Sequence, residues 1–470
     1  MTTSLTIRLR NGVTLVVPAR LNAITSFVLL EQEAWFEKEL EFLARWLKPG
    51  MTAIDIGANL GAYSLLMTLR VGSKGAVFAY EPGSEARGLL EQSRALNGAQ
   101  NLHISGKALS DRDGSARLIF GHSSELNTLG EAGEGEDVEV ATLDTESERL
   151  NWLSPDFVKI DAEGAEEKIF RGGQTFFTQH SPLIMFEVKA STTNSDGLRL
   201  ILKGLGYGLY RALPGGSALV PVGDAEELDP YELNLFAAKG DHAAKMKSEN
   251  LLVDEVLSWT PQPDDGRTFV SAQPFMQGAI FSEAVDTNYN TALAAYAAWR
   301  QEDQPIALRY AALSFAYDRL KLLCADAPNV ARLSTFARVA FEIGHRNISV
   351  LVLQHLVQRL RRPIELLEPF WPACPRYDAL PLAGQPGAWF ACSIIEQLAR
   401  VSSFSSFFAA DLQQLEWLVR QPFATPEMER RLVLATARNG QAATISARLG
   451  EAGPDNLNAD LWRGGRLPLS

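Results

Sequence analysis

The sequence predicts an α/β domain with a mostly parallel sheet, preceded by a β-hairpin and followed by an all-α domain. Three observations carry this. Between residues 51 and about 240, short and almost continuous apolar runs alternate with helix-periodic segments. That is the pattern of strands buried on both faces by crossover helices. After about Lys245 strand patterns stop and seven helix-periodic stretches follow, most of them separated by Pro, Gly or Asn. At the start, Leu5, Ile7 and Leu9 alternate with polar partners, and Asn11-Gly12 leads into Val13 to Val17, which reads as a hairpin closed by a type I′ turn.

The elements follow in order. One helix is expected over Gln32 to Leu47, with Phe36, Leu40, Leu43 and Leu47 on one stripe and Pro49-Gly50 ending it. Strands are expected at Thr52 to Ile56, Ala76 to Tyr80, Leu102 to Leu109, Phe157 to Asp161, Leu183 to Val188 and Leu233 to Ala237. Helices are expected at Ala62 to Val71 and Ser84 to Leu96. Residues 121–137, rich in Gly, Glu and Ser, read as a loop, either a functional lid or a solvated acidic segment. The division is then 1–245 for the first domain (with 1–48 as hairpin and helix), 246–273 as a linker holding Pro261 and Pro263, and 274–470 as the helical domain. Tyr296, Ala307, Tyr310, Ala311 and Tyr317 give the latter a helical-repeat-like texture, although no clean 34-residue period recurs. Residues 372–378 read as a rigid loop that either packs helices or grips a partner.

Composition bounds the function. The chain has 470 residues, 46% hydrophobic and 21% charged, which is the balance of a folded globular protein. A net charge of -12 argues against a nucleic-acid partner, which needs a basic face. Cys324, Cys374 and Cys392 form no paired spacing and suit a reducing compartment as buried thiols. The first residues lack a basic start followed by an apolar core, and no run reaches the ~18 apolar residues a membrane span needs. The expectation is a cytoplasmic chain with no integral membrane segment.

Two motifs carry chemistry. The first, Asp55-Ile56-Gly57-Ala58-Asn59-Leu60-Gly61, follows a strand and precedes a helix, where an open α/β sheet binds nucleotides. Gly57 permits a tight turn, Gly61 lets the helix pack closely, and free N–H groups at the helix start favour an anionic group. Asp55 stands where a dinucleotide motif has its first glycine. Its charge would repel a pyrophosphate and attract an ammonium or sulfonium, so S-adenosylmethionine fits better than NAD. Glu81 closes the next strand 26 positions later, before Pro82, where a carboxylate can accept both ribose hydroxyls. Ala108 and Leu109 are candidates for an adenine pocket. The cofactor set is therefore Asp55, Gly57, Ala58, Asn59, Gly61, Glu81, Pro82 and Ala108, against the bland alternative of a tight turn.

The second motif is Lys159-Ile160-Asp161-Ala162-Glu163-Gly164-Ala165-Glu166. Strand period puts Lys159 and Asp161 on one face. One reading is an ion pair of Lys159 with Asp161 or Glu187 that closes a layer. The other places Asp161 and Glu163 at the carboxyl edge of the sheet, where a carboxylate accepts a hydroxyl proton and Lys159 orients it. Glu187 ends the strand expected alongside. With Asp161 it is a candidate Mg²⁺ pair, although a metal-free site in which Glu187 binds substrate hydroxyls is favoured. His122, in the expected loop, is a further candidate for substrate binding or as a base.

From about Leu47 to Lys239 the chain resembles the FkbM family of S-adenosylmethionine-dependent O-methyltransferases. The resemblance rests on Asp55 to Gly61, Glu81-Pro82, Thr142-Leu143-Asp144, Lys159 to Glu166 and Phe186-Glu187, and the Lys-x-Asp-x-Glu-Gly-x-Glu string is its most specific part. It implies a class I methyltransferase, Rossmann-like, seven-stranded sheet. It also implies methylation of a hydroxyl, on a polyketide or on a sugar of a glycan or glycolipid. The alternatives are a helical adapter with a degenerate enzyme domain and a nucleic-acid methyltransferase. The helical half is expected to serve as a substrate platform, a dock for a protein partner, or a homodimer interface.

Overall fold

The computed structural model describes residues 4–121, 127–130, 133–188, 194–215, 217–223, 226–255, 257–261, 266–277, 279, 286–382 and 384–469. The hairpin pairs β1 (Ser4–Arg8) with β2 (Thr14–Pro18), Ile7 opposite Leu15. Its turn is not type I′. The Gly12 N–H donates to the Leu9 carbonyl at 3.0 Å, and of the turn residues only Gly12 is left-handed, at φ 88°. Asn11 keeps an ordinary φ and its side chain accepts from the Val13 N–H at 3.1 Å, so the loop has three residues with glycine at the left-handed position.

The helix expected over Gln32–Leu47 is confined to α2 (Glu39–Trp46), and a separate helix not expected from the sequence, α1 (Ile24–Gln32), precedes it. Glu33 turns left-handed at φ 56° and stops α1. Its buried carboxylate accepts from the Asn458 N–H at 2.9 Å, a partner from the far end of the chain that local periodicity does not encode. Residues 34–38 are thereby freed from helix.

The chain continues through β3 (Thr52–Ile56), α3 (Ala62–Val71), β4 (Ala76–Tyr80), α4 (Ser84–Leu96), β5 (Leu102–Ser105), β6 (Ala108–Ser110), β7 (Gly114–Ile119), β8 (Thr128–Gly130) and β9 (Gly135–Thr142). Then come α5 (Leu143–Leu150), β10 (Phe157–Ile160), α6 (Glu166–Arg171), α7 (Gln174–Gln179), β11 (Leu183–Glu187), α8 (Asn194–Gly204), β12 (Gly208–Leu213), β13 (Ala218–Pro221) and β14 (Asn234–Ala238). The main sheet has the order β13-β12-β14-β11-β10-β3-β4-β5. Strands β5, β4, β3, β10 and β11 are parallel, and β14 runs against both β11 and β12. This is the expected class I methyltransferase sheet with an eighth strand, β13, added antiparallel at one edge. Strand order reverses between β3 and β10, and the crevice beyond their carboxyl ends is where such sheets bind ligands.

The strand expected over Leu102–Leu109 is divided. β5 stays in the main sheet, while β6 joins a second sheet ordered β6-β9-β7-β8. The expected loop at 121–137 contains β8 and the start of β9. Among the described residues Leu118, Val138, Val140 and Ala108 form the core of this small sheet, with Ala116 and Leu129 packed against it. The outer face is polar, so the apolar alternation in the sequence is faint.

The rest is helical: α9 (Gly240–Ser248), α10 (Gly266–Ser271), α11 (Thr287–Trp299), α12 (Ile306–Asp326), α13 (Val330–Ile343), α14 (Arg346–Arg359), α15 (Pro386–Val401), α16 (Leu412–Val419), α17 (Pro426–Arg438) and α18 (Ala459–Trp462). Helices α11 and α12, and α13 and α14, pack as neighbours. The segment expected as a linker packs on both halves. Leu251 and Leu252 belong to the core of the sheet, and Val253 and Val270 to that of the helices. The C-terminal residues return to the N-terminus, where Val433, Leu434 and Trp462 share a core with Phe27 and Leu30. Among the described residues no helix is long and apolar enough to cross a membrane.

Candidate functional site

A cavity of about 320 Å³ opens at the carboxyl ends of β3, β4, β10 and β11. Its floor is the turn after β3. The Gly57 and Ala58 N–H groups both donate to the Tyr80 carbonyl at 3.0 Å, which folds the chain back over β4. Gly57 sits at φ 79°, and a Cβ there would meet the Asp161 carbonyl oxygen. Gly61 lies outside the lining. A Cβ on it would strike Leu90 at 2.3 Å, so it serves the packing of α3 on α4.

Glu81 lines the cavity and is almost fully buried. One carboxylate oxygen accepts from the Asn59 N–H at 2.8 Å and the other from the Gly83 N–H at 2.7 Å. Burial, only partly offset by these two bonds, pushes its pKa up to about 7. A carboxylate has about four acceptor positions, so two remain for a ligand's hydroxyls. Pro82, Ala108, Leu109, Leu118 and Leu129 give the cavity an apolar lining. A buried diol acceptor, a glycine cradle and an apolar lining fit a nucleoside such as that of S-adenosylmethionine.

Asp55 differs from the expectation. It does not line the cavity; it is fully buried behind the turn. Ser64 Oγ donates to it at 2.6 Å and Lys159 Nζ lies 3.6 Å away. Burial raises its pKa, with Lys159 and Ser64 opposing. Strand register pairs Asp55 with Lys159, so its charge is answered within the protein rather than by a ligand.

The second motif forms the opposite wall. Lys159 Nζ is 3.0 Å from Asp161 Oδ2 and 3.5 Å from the Gly57 carbonyl oxygen. Burial alone would lower the Lys159 pKa, but the charges of Asp161, Asp55 and Glu37 outweigh it and hold the ammonium above its ordinary value. Asp161, Glu163 and Glu187 all line the cavity, and each offers an oxygen within 4.8 Å of the others. The parallel register of Ile160 with Phe186 brings the two strand ends together, as the sequence suggested. Three such carboxylates have the chemistry of a site for a hard cation, although Lys159 already answers the charge of Asp161. Glu163 has φ 48° and Asn59 φ 46°, left-handed values that are unusual for residues other than glycine and that cluster at functional sites. Glu166 is structural, since its Oε1 accepts from the Ala162 and Gly164 N–H groups at 3.0 and 3.1 Å and fixes the loop. The Thr142-Leu143-Asp144 string also caps helices: Thr142 accepts from the Thr145 N–H, and Asp144 from those of Thr175 and Phe176. His122 lies outside the described residues.

Several lining residues are not visible in the motifs. Trp35, Phe36 and Glu37 come from the break between α1 and α2, Tyr63 from α3, Asn234 from β14, and Phe408 from the helical half. The Tyr63 hydroxyl donates to Glu37, and Asn234 Nδ2 donates to the same carboxylate oxygen at 3.1 Å. Burial raises the Glu37 pKa, and the neighbouring charge of Asp161 raises it further. Tyr63 had one available signal, its place in the first turn of the helix after the glycine motif. Glu37 and Phe408 had none.

Residues 55–209, about a third of the chain, match the family model described as methyltransferase FkbM domain, so the chain carries an FkbM methyltransferase domain there. A comparison with curated proteins finds no match. Among solved structures, methyltransferase FkbM from Methylobacillus flagellatus aligns at 18% identity and TM-score 0.28, over 40% of this chain and 43% of that one. The chain thus spans less than half the length of that protein. A SAM-dependent O-methyltransferase from Thermotoga maritima aligns at 19% identity and TM-score 0.27, over 50% and 77%. A SAM-dependent methyltransferase from Aquifex aeolicus aligns at 13% identity and TM-score 0.26, over 45% and 90%.

Proposed function

We propose, from the FkbM methyltransferase domain at residues 55–209, that the protein is an S-adenosylmethionine-dependent O-methyltransferase whose acceptor is a hydroxyl of a sugar in a glycan or glycolipid. The observation that carries the reading is the cavity itself. It sets a buried diol acceptor, Glu81, on one side and a lysine-oriented carboxylate, Asp161, on the other.

Gly57, Ala58, Asn59 and Glu81 would hold the cofactor, with its base against Pro82, Ala108 and Leu109. Bound S-adenosylmethionine supplies an electrophilic methyl on a sulfonium. Asp161 would accept the proton that the acceptor hydroxyl loses as its oxygen bonds the methyl, the S–C bond breaks and S-adenosylhomocysteine leaves. Lys159, 3.0 Å from Asp161 Oδ2, fixes its direction. Glu163 and Glu187 accept hydrogen bonds from neighbouring acceptor hydroxyls, which suits a polyol. Holding the two reactants at the right approach does most of the work in a direct transfer. The reading is metal-free, because Lys159 occupies the electrostatic place a cation would take beside Asp161; EDTA is then expected to leave the rate unchanged.

Calorimetry with S-adenosylhomocysteine on the purified chain tests the cofactor half. Micromolar binding weakened in Glu81→Ala supports it, and no binding by the folded protein overturns it. Asp161→Asn tests the chemistry. The expected result is a fall in kcat of about 10²–10⁴-fold with S-adenosylhomocysteine affinity nearly unchanged. Equal losses in both would make Asp161 structural.

A further inference from the structure

A second cavity, of about 470 Å³, lies between the N-terminal segment and the helical half. Arg10, Arg346, Arg376 and Arg400 line it, against two lining carboxylates, Glu427 and Asp455. Most of these charges are already matched. Arg400 is bound to Glu396 at 2.9 Å and to Glu427 at 2.6 Å, and Arg376 to Glu396 at 2.6 Å. Arg10 reaches Asp455 only at 3.8 Å and Glu427 at 3.9 Å.

Arg346 is the exception. It makes no ion pair among the described residues. Its guanidinium lies against the rings of Tyr231 and Phe404, 4.5 Å from each centroid, and Nε donates to the Val401 carbonyl at 2.8 Å. Nη2 is buried with no hydrogen-bond partner. Asp229 and Glu232 act on it through their charge, but each has a partner elsewhere: Asp229 accepts from the Asn347 N–H, and Glu232 pairs with Lys38 at 2.8 Å. Burial lowers the Arg346 pKa to about 10, yet it stays charged at neutral pH. Arg346 is only partly buried as a residue, but leaving its buried Nη2 without a partner is costly, and guanidinium matches carboxylate and phosphate oxygens.

This cavity adjoins the first. Phe36 lines both, and it packs on Phe404 at 5.0 Å between centroids. We propose that the arginine-lined cavity binds an anionic group, phosphate or carboxylate, carried by the acceptor, with Arg346 as its anchor, while the acceptor's hydroxyl lies at Asp161. The inference rests on the methyltransferase reading and narrows its acceptor to an acidic or phosphorylated glycan. It also gives the helical half a role, since that half supplies Arg346, Arg376 and Phe404 here and Phe408 to the first cavity.

The test is calorimetry on the full chain with glucose 1-phosphate, glucuronate and inorganic pyrophosphate as probes, each with and without saturating S-adenosylhomocysteine. At least one probe is expected to bind in both conditions, because Arg346 is not among the residues proposed to hold the cofactor. Arg346→Gln is expected to weaken that binding about tenfold or more without changing S-adenosylhomocysteine affinity. Arg346→Lys, which keeps the charge and loses the fork, is expected to fall between and covers the case of a poorly folded glutamine variant. Preference between the two sugars identifies phosphate or carboxylate, and pyrophosphate alone binding would overturn the acceptor assignment. No binding at millimolar concentration, or equal binding by both variants and the wild type, overturns the proposal. Loss of S-adenosylhomocysteine binding with anion binding retained would instead strike the methyltransferase reading.

Discussion

A Cβ placed on Gly57 would lie 1.7 Å from the carbonyl oxygen of Asp161. The two motifs, separated by about a hundred residues, are therefore one site in which the first turn leaves room for the second strand end. Both also touch Lys159, whose ammonium lies 3.5 Å from the Gly57 carbonyl oxygen and 3.0 Å from Asp161 Oδ2. Gly57→Ala must move backbone against backbone and adopt a left-handed φ at the same time. The expected outcome is a folded chain with S-adenosylhomocysteine affinity and turnover both reduced at least tenfold. Wild-type values in a calorimetric and a transfer assay would mean that the turn and the strand end move independently.

Glu81 predicts a pH dependence of cofactor binding. Its free-state pKa is raised to about 7, chiefly by burial. Ribose hydroxyls donate to the ionised carboxylate, so binding favours the deprotonated form and lowers that pKa. Affinity for S-adenosylhomocysteine should therefore rise with pH through about 7 and level off above it. Well below 7 the loss should approach about tenfold per pH unit. Glu81→Gln should bind weakly and without this slope. A flat profile between pH 5.5 and 8.5 in the wild type would remove Glu81 from the ribose contact.

How much of this was readable from residues alone depends on how local each cause is. The Gly57 turn, Glu81 after its strand and the Lys159–Asp161 pair are set by one strand and its end, and the sequence placed all three on the cavity. The closeness of Asp55 to the glycine turn in sequence suggests ligand contact. Register instead sets it beside Lys159 and beneath α3. Glu37 and Phe408 reach the cavity only through the break between α1 and α2 and a returning C-terminal half. The break depends on Glu33 finding Asn458, 425 residues away, and no window of sequence contains both.

The Asp55–Lys159 pair predicts strongly non-additive stability. Both side chains are buried, Lys159 at 4% and Asp55 at 0% exposure. Lys159→Met strands a buried carboxylate, which costs about 3–5 kcal/mol. Asp55→Asn keeps the Ser64 contact and leaves Lys159 with Asp161, so it costs less. The double variant should recover stability relative to the sum, with a coupling of about 1–3 kcal/mol. Urea denaturation of the three variants measures it, and additivity within about 0.5 kcal/mol would show that the two charges do not depend on each other.

The last prediction concerns the division of the chain. Glu31 and Glu33 are fully buried in or at the end of α1, yet their counter-charges come from α17, Arg431 at 3.4 Å and Arg430 at 3.5 Å. Ser406 also donates to Glu31, and Phe27 meets Phe407 edge-on at 5.3 Å. A fragment ending at residue 245 keeps every cofactor contact proposed above but leaves two carboxylates and an apolar helix face uncovered. Removing one partner of a buried pair costs about 3–5 kcal/mol, and two such pairs rival the whole stability of an ordinary domain, about 5–15 kcal/mol. The fragment should therefore aggregate in size-exclusion chromatography and fail to bind S-adenosylhomocysteine. Co-expression with residues 246–470 as a separate chain should restore binding, because the contacts need proximity rather than a covalent link. A monomeric fragment with wild-type affinity would show that α1 holds its place without the helical half.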